Sequence, residues 1–225
     1  MTGIMTAAPI HRAAGRFLLD PAGAVFWPDR RALIVADLHL EKASSIAARG
    51  GLLPPYDSRA TLDRLALLLR RYAPERVIAL GDSFHDEAGR ARLPAEEASL
   101  LARMEAAHRF LWIEGNHDAG TGLAEHAEAG AVFRHVAGPV AAGQVEFSGH
   151  FHPKARIATR AASVARPCFV ADAHRVLLPA FGAYAGGLEV TSPPIRALFP
   201  RGGQVFLLGR ERVYAFPLAH AGKAA

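Results

Sequence analysis

The sequence predicts an α/β fold of two packed sheets covered by helices, and two observations carry that expectation. As far as residue 115, short apolar runs alternate with helix-period segments, the pattern of strands joined by crossovers in a largely parallel sheet. Beyond it, short strand-like runs follow one another, separated by Gly, Pro or polar turns. With 225 residues the chain can bury a substantial core as one domain, residues 1–225, without disulfides.

The elements follow in order. Residues 32–36 form an apolar, partly β-branched run that leads into Asp37. A helix is expected over 58–72, because Leu62, Leu65, Ala66 and Leu69 repeat at helical spacing; Asp57 or Ser58 can cap its start and Pro74 stops it. Residues 76–80 make the next strand, ending at Gly81-Asp82. A second helix is expected over 94–107, with Glu96 and Glu97 in the first turn, where the dipole favours them, and an apolar stripe of Leu100, Leu101 and Met104. Residues 110–113 run into Gly115-Asn116-His117-Asp118, and 123–127 read as helix-like. Strands are expected at 131–134, 144–147, 168–171, 175–178, 204–208 and 212–216. Asp172-Ala173-His174-Arg175 reads as a turn, and Cys168 as a small core residue. The stretch 50–56 is an exposed loop, read either as a wall of a site or as an ordinary connection.

Five polar motifs stand at or near the ends of these runs: Asp37-Leu38-His39, Gly81-Asp82, Gly115-Asn116-His117-Asp118, His135 and Gly149-His150-Phe151-His152. Ligands of open α/β sheets bind at the carboxyl ends of strands, where successive loops converge, so these distant residues can meet in one dinuclear metal site. Carboxylates, imidazoles and one amide oxygen make a mixed shell suited to Mn, Fe, Zn or Ni. A single cysteine excludes a thiolate-rich zinc site or an iron–sulfur cluster.

The ordered series D-x-H, G-D, G-N-H-D, a lone H and G-H-x-H resembles the calcineurin-like metallophosphoesterases across residues 32–157. The resemblance implies a four-layer α-β-β-α sandwich of two mixed sheets. It also implies that Asp37, His39 and His152 hold one divalent metal, that Asn116, His135 and His150 hold the other, and that Asp82 bridges them. His126 is the alternative to His135, which is preferred because it follows a plausible strand end. Two such cations would clamp the attacking and leaving oxygens of an in-line displacement at phosphorus and make hydroxide available near neutral pH. His117 is the imidazole not needed as a ligand; the resemblance makes it the general acid, with Asp118 accepting its other ring N–H.

The second motif continues as Ser83-Phe84-His85-Asp86, closer to the G-D-x-F-H of DNA-repair nucleases than to the G-D-x-x-D-R of many phosphatases. His85 is therefore a second candidate catalytic or substrate-positioning residue. Together with Leu40-Glu41-Lys42, Pro153-Lys154, Leu178-Pro179-Ala180-Phe181-Gly182 and Gly186-Gly187, the pattern resembles the compact bacterial metallophosphoesterases associated with DNA ligase, described as DNA-damage-response endonucleases. That implies a manganese-dependent DNA endonuclease in repair and a functional association with DNA ligase. The alternatives are a phosphatase or a phosphodiesterase of cyclic nucleotides or other small molecules, and a non-catalytic metal-binding scaffold.

The formal charge of +5 and a calculated pI of about 9.9 favour polyanions without selecting one. Lys42, Arg49, Lys154, Arg156 and Arg160 lie next to the metal motifs and are the candidate substrate contacts, with arginine suited to bidentate phosphate binding. No zinc-finger or RNA-recognition signature is present, so DNA would be bound through backbone and shape, as single strands or loops and without sequence preference. His11, His108, His126 and His220 have no companion ligands at useful spacing, and His174 or Arg175 could lie near substrate although 172–175 reads more simply as a turn. No signal-peptide pattern or transmembrane run occurs, which makes the cytoplasm the expected location.

Overall fold

The computed structural model describes residues 6–120, 122–158 and 163–221. Six strands make the first sheet, in spatial order β1 (Ala8–Arg12), β2 (Gly15–Leu19), β3 (Val25–Trp27), β4 (Ala32–Val35), β5 (Arg76–Leu80) and β6 (Arg109–Ile113). The strands β4, β5 and β6 are parallel, as expected. Their crossovers carry the helices α1 (Lys42–Ala47), α2 (Asp57–Tyr72), α3 (Gly89–Arg92) and α4 (Ala95–Ala107).

The second sheet contains β7 (Glu125–Glu128), β8 (Ala131–Arg134), β9 (Val145–Ser148), β10 (Lys154–Ala158), β11 (Ser163–Ala171), β12 (Arg175–Leu177), β13 (Gln204–Leu208) and β14 (Val213–Pro217). It runs β14-β13-β11-β12-β9-β8-β7, with β10 paired to β11, and the helix α5 (Pro193–Leu198) precedes β13. The pairs β8/β9 and β9/β12 are parallel and the others antiparallel, so both sheets are mixed.

Side chains that alternate across each strand sort the apolar residues into three layers of core. Ala32 and Ile34 of β4 join Phe17, Trp27, Phe133, Phe147 and Phe169 between the sheets, whereas Leu33 and Val35 face Leu62, Leu65, Leu101 and Met104 of α2 and α4. On β11, Phe169 and Ala171 point into the central layer; Cys168 and Val170 point the other way, toward Ile195 of α5 and Phe199. Helix, sheet, sheet and helix are thus stacked as the expected four-layer α-β-β-α sandwich. Strands buried on both faces read as unbroken apolar runs, which is why 32–36 and 76–80 were legible. Cys168 is fully buried, and burial pushes its thiol pKa up.

Three expectations are corrected. The first sheet is not largely parallel, because β1, β2 and β3 add an antiparallel edge that the sequence reading left out. Residues 125–128 are strand β7 rather than helix: the segment pairs antiparallel with β8, from Glu125 opposite Arg134 to Glu128 opposite Ala131. Neither Asp57 nor Ser58 caps α2, whose N-cap is Tyr56. The Asp57 carboxylate instead accepts the Ala43 N–H at 3.0 Å, while the Ser58 hydroxyl accepts the Glu41 N–H at 2.8 Å and donates to the Glu41 carboxylate at 2.7 Å. These bonds fasten α2 to the start of α1, directly after His39. Among the described residues no helix is long and apolar enough to cross a membrane.

Candidate metal centre

All five motifs converge at one end of the sandwich, on loops that continue the strand ladders. Beyond β4 and β5, Asp37 N–H donates to the Gly81 carbonyl at 3.2 Å, His39 N–H to that of Asp82 at 2.8 Å and Leu40 N–H to that of Ser83 at 3.0 Å. Phe181 N–H and Gly182 N–H then bind the carbonyls of Ala36 and Asp37, which places the 178–182 segment against the first metal motif. Gly149 N–H donates to the His135 carbonyl and joins the fourth motif to the fifth.

Asp37, His39, Asp82, His150 and His152 all have positive φ, between 43° and 70°, the left-handed region that side chains disfavour. Such conformations cost of order 1–3 kcal/mol each and persist only where the surroundings fix them. Here they turn the chain sharply at strand ends, so that neighbouring motifs aim inward. A side chain at Gly115 would collide with the Asp82 carboxylate, and one at Gly149 with that of Asp37. The motif glycines therefore leave the space into which the acidic groups fit.

Two donor sets result. In one, Asp37, His39 and His152 bring ligand atoms together, with the Nε2 atoms of His39 and His152 3.3 Å apart and His152 Nε2 3.3 Å from Asp37 Oδ1. In the other, Asn116 Oδ1 lies 3.0 Å from both His135 Nε2 and His150 Nδ1, and His135 Nε2 is 3.5 Å from Asp82 Oδ2. That same Asp82 oxygen is 3.9 Å from His39 Nε2, so it stands between the sets. His135 Nδ1–H donates to the Leu80 carbonyl at 3.0 Å, which leaves the Nε2 lone pair facing Asn116. His126, by contrast, lies on β7 against Phe133, outside both sets.

The groups fit a bound cation. Asp37 is 0% and Asp82 2% exposed, and among the described residues no Lys or Arg forms an ion pair with either. Buried carboxylates require compensation by a partner or a metal. Burial, and then the neighbouring His152, His85, Lys42 and His117, push the His39 pKa down to about 2; burial and His135 also lower that of His150. Neutral imidazoles with a free lone pair are the form that ligates metal.

Asp118 does not orient His117 as expected. Its buried carboxylate accepts the backbone N–H groups of Asp82, Ser83, Phe84 and Gly115, and so clamps the second motif to the third. A short acidic side chain following the turn satisfies these otherwise orphaned donors. The Nδ1–H of His117 donates to the backbone carbonyl of His85 at 3.0 Å, and its Nε2 lies 3.9 Å from Asp82 Oδ2. The His85 and His117 rings stack with centroids 4.9 Å apart, and His85 Nδ1 approaches His39 Nδ1 at 3.5 Å. Burial, followed by repulsion from His117, Lys42 and Arg49, pushes the His85 pKa down to about 4.

The candidate substrate cations divide. Lys42, at the start of α1, is half-buried; burial lowers its pKa, Asp57 opposes that, and Lys154 repels it. Arg49 is exposed and donates to the Ser45 hydroxyl. Lys154 donates to the Ala185 carbonyl at 3.3 Å. Arg156 is exposed and pairs with Glu189 at 3.2 Å. Arg160 lies outside the described residues. Arg175 begins β12 and binds the buried Glu146 at 2.6 Å. Sequence reasoning missed Arg64, which lines a cavity together with the candidate ligand His152 and with Lys154. No local spacing marks it, since it sits beside the apolar stripe of α2.

The family model of calcineurin-like phosphoesterases matches residues 30–160. A nuclease from Pseudomonas putida, MPE, has a crystal structure similar to this one: TM-score 0.70, 30% identity, 94% of this chain and 100% of that chain covered. A phosphoesterase from E. coli, Yfce, is similar at 12% identity and TM-score 0.43, with 83% of this chain and 98% of that one covered. No curated protein sequence gives a significant match.

Proposed function

Because this chain belongs to the calcineurin-like phosphoesterase family, we propose that it is a dinuclear-metal-dependent phosphodiesterase that hydrolyses nucleic-acid backbones, with DNA the favoured polymer. The observation that carries this reading is Asp82 Oδ2, buried between the two donor sets at 3.5 Å from His135 Nε2 and 3.9 Å from His39 Nε2. One divalent cation would be held by Asp37, His39 and His152, a second by Asn116, His135 and His150, and both by Asp82. Manganese is the proposed metal, since oxygen and imidazole donors without thiolate suit it. Bound cations there supply Lewis acidity, neutralising phosphate charge and making water more acidic.

The residues of the chain then divide the remaining work. In hydrolysis a water oxygen forms a bond to phosphorus, the bond from phosphorus to the leaving oxygen breaks, and that oxygen takes up a proton. His117 is the proposed donor. A carbonyl only accepts, so its Nδ1 keeps a proton for His85 and its Nε2 is the nitrogen left to transfer one. The His117 backbone N–H, bonded to Asp82 Oδ1 at 2.9 Å, ties the acid to the bridging ligand. Lys42 and Lys154 flank the centre and balance substrate charge. The similarity to a nuclease favours a polymeric substrate over a small ester. A repair role, cooperation with a DNA ligase and a cytoplasmic location are part of the same proposal; the last fits a chain whose one cysteine is a buried free thiol.

Metal-stripped protein, re-supplied with manganese, is offered bis(p-nitrophenyl) phosphate and circular single-stranded DNA, beside a His117→Ala control. Cleavage of both substrates by the parent, and of DNA far more slowly by the control, is the expected result. Cleavage of the small ester alone by the parent overturns the nucleic-acid assignment, and DNA cleavage by the control at the parent's rate overturns the role of His117.

A further inference from the structure

Beside the metal centre is a cavity of about 270 Å³ with an unusual wall. It is lined by the candidate ligand His152, by Lys154, by Arg64 of α2 and by residues of the 180–186 segment. Among the described residues two cations line it, and no carboxylate does. The segment is firmly held: Ala183 N–H donates to the Thr61 hydroxyl at 3.0 Å, and Gly182 N–H to the Asp37 carbonyl. Thr61 and Arg64 lie one turn apart on α2, so the same helix fixes the loop and delivers the cation.

Arg64 is poised rather than engaged. Its guanidinium carbon lies 4.4 Å from the centroid of the Phe181 ring, and its buried Nε has no hydrogen-bond partner among the described residues. Arg64 lines the cavity with no carboxylate beside it among the described residues, and a phosphate there would supply the missing counter-charge. Burial lowers its pKa, the same desolvation seen from the other side. At the mouth stands Tyr184, 47% exposed and held at φ 58°. A non-glycine residue in that conformation persists where its surroundings hold it, and here it lines the same cavity as Arg64 and Lys154.

The geometry points to a subsite for the nucleotide adjoining the scissile bond, in which Arg64 and Lys154 hold its phosphate and Tyr184 stacks on its base. The volume is just below the roughly 300–1,000 Å³ of small-molecule pockets, enough for a phosphate and sugar with the base at the rim. The assignment rests on the phosphodiesterase reading above and narrows it. The preferred substrate carries a second phosphate beside the one cleaved, and its bases are unpaired so that one can reach Tyr184. Stacking and backbone charge are sequence-tolerant, so the subsite selects a single strand without selecting a base.

The test compares two substrates across variants of the manganese-loaded protein. Bis(p-nitrophenyl) phosphate has no neighbouring phosphate; a single-stranded oligonucleotide has one at every step. Arg64→Gln should raise KM for the oligonucleotide about tenfold, the loss of one charged hydrogen-bond partner, and leave kcat/KM for the small ester within about twofold. Arg64→Lys, keeping the charge, should recover part of the loss. Tyr184→Ala should weaken strand binding at least about fivefold and Tyr184→Phe should not, as stacking requires.

In a His117→Ala background, which cuts DNA far more slowly, fluorescence anisotropy gives affinity directly. There Arg64→Gln should flatten the dependence of log affinity on log salt by about 0.7, one phosphate contact on a single strand. Unchanged strand affinity in Arg64→Gln and Tyr184→Ala overturns the subsite, as does an equal loss on both substrates. If the parent protein cleaves the small ester but no strand, the nucleic-acid reading above fails; if it cleaves the strand and the variants match it, the subsite alone falls.

Discussion

The Nδ1 of His117 is hydrogen-bonded, at 3.0 Å, to the backbone carbonyl of His85 and not to a side chain. This predicts an asymmetry between the two histidines. His117→Ala removes the proposed proton donor and should lower kcat on single-stranded DNA, whose alkoxide leaving group needs a proton, by about 10²–10⁴-fold, the usual range of general acid catalysis. His85→Ala keeps the carbonyl and hence the orientation of His117, so its loss should be smaller. Steady-state kinetics with manganese content measured in each variant decides it; equal losses would mean that the His85 ring takes part in the chemistry.

Asp118 should behave as a structural clamp. Its carboxylate, 1% exposed, accepts four backbone N–H groups from two motifs, at 2.7 to 3.3 Å. Asp118→Ala strands these buried donors, and at about 1–3 kcal/mol for each unsatisfied group a loss of at least about 3 kcal/mol follows. Urea unfolding of metal-free protein measures it. A variant of unchanged stability with altered kinetics alone would return Asp118 to the catalytic role first expected of it.

That reassignment illustrates what sequence can carry. The motif residues were legible because ligand chemistry restricts residue type, and their strands because burial on both faces makes them uniformly apolar. His135 was separable from His126 because a strand end precedes it, although the bond from its Nδ1 to the Leu80 carbonyl is invisible in sequence. Backbone partners leave no trace in residue identity, and His117 was given Asp118 for want of a visible alternative. Strand β7 misled for another reason: Glu125 and Glu128 favour helix locally, and pairing with β8 overrides that preference. Arg64 was hidden because its importance comes from the 180–186 segment, more than a hundred residues away.

Glu146 predicts a coupling between the second sheet and the metal loop. It lies on β9, fully buried, receiving Arg175 Nε at 2.6 Å and Gly138 N–H at 2.7 Å, with Arg134 Nε at 3.5 Å. Glu146→Ala strips Arg175 of its counter-charge, while Arg134 keeps Glu125 at 3.2 Å, and should cost about 3–5 kcal/mol, as breaking a buried pair does. Glu146→Gln keeps the acceptor and should cost less. Since β9 leads directly into His150, manganese affinity measured by titration calorimetry should fall along with the urea midpoint. A stable Glu146→Ala variant would mean that Arg175 is held by the carbonyls of Gly138 and Leu198 alone.

Asp86 supplies a pH-dependent increment to stability. Two hydrogen bonds from Arg92, each 2.8 Å, are the main cause that holds its pKa down to about 2 from an ordinary value of 3.8. A folded-state pKa below the unfolded one favours the native state wherever the unfolded carboxyl is ionised, so the contribution is complete above about pH 4–5 and is lost as pH falls through about 2. The pair is about one-third exposed, and solvent screening reduces the contribution to about 1 kcal/mol or less. Asp86→Asn in metal-free protein should therefore melt below the parent at pH 7 and at pH 5, with the gap closing between pH 4 and pH 2. A gap that persists undiminished at pH 2 would show that the asparagine disturbs packing, and that charge on Asp86 is not what stabilises the α3 segment against the second motif.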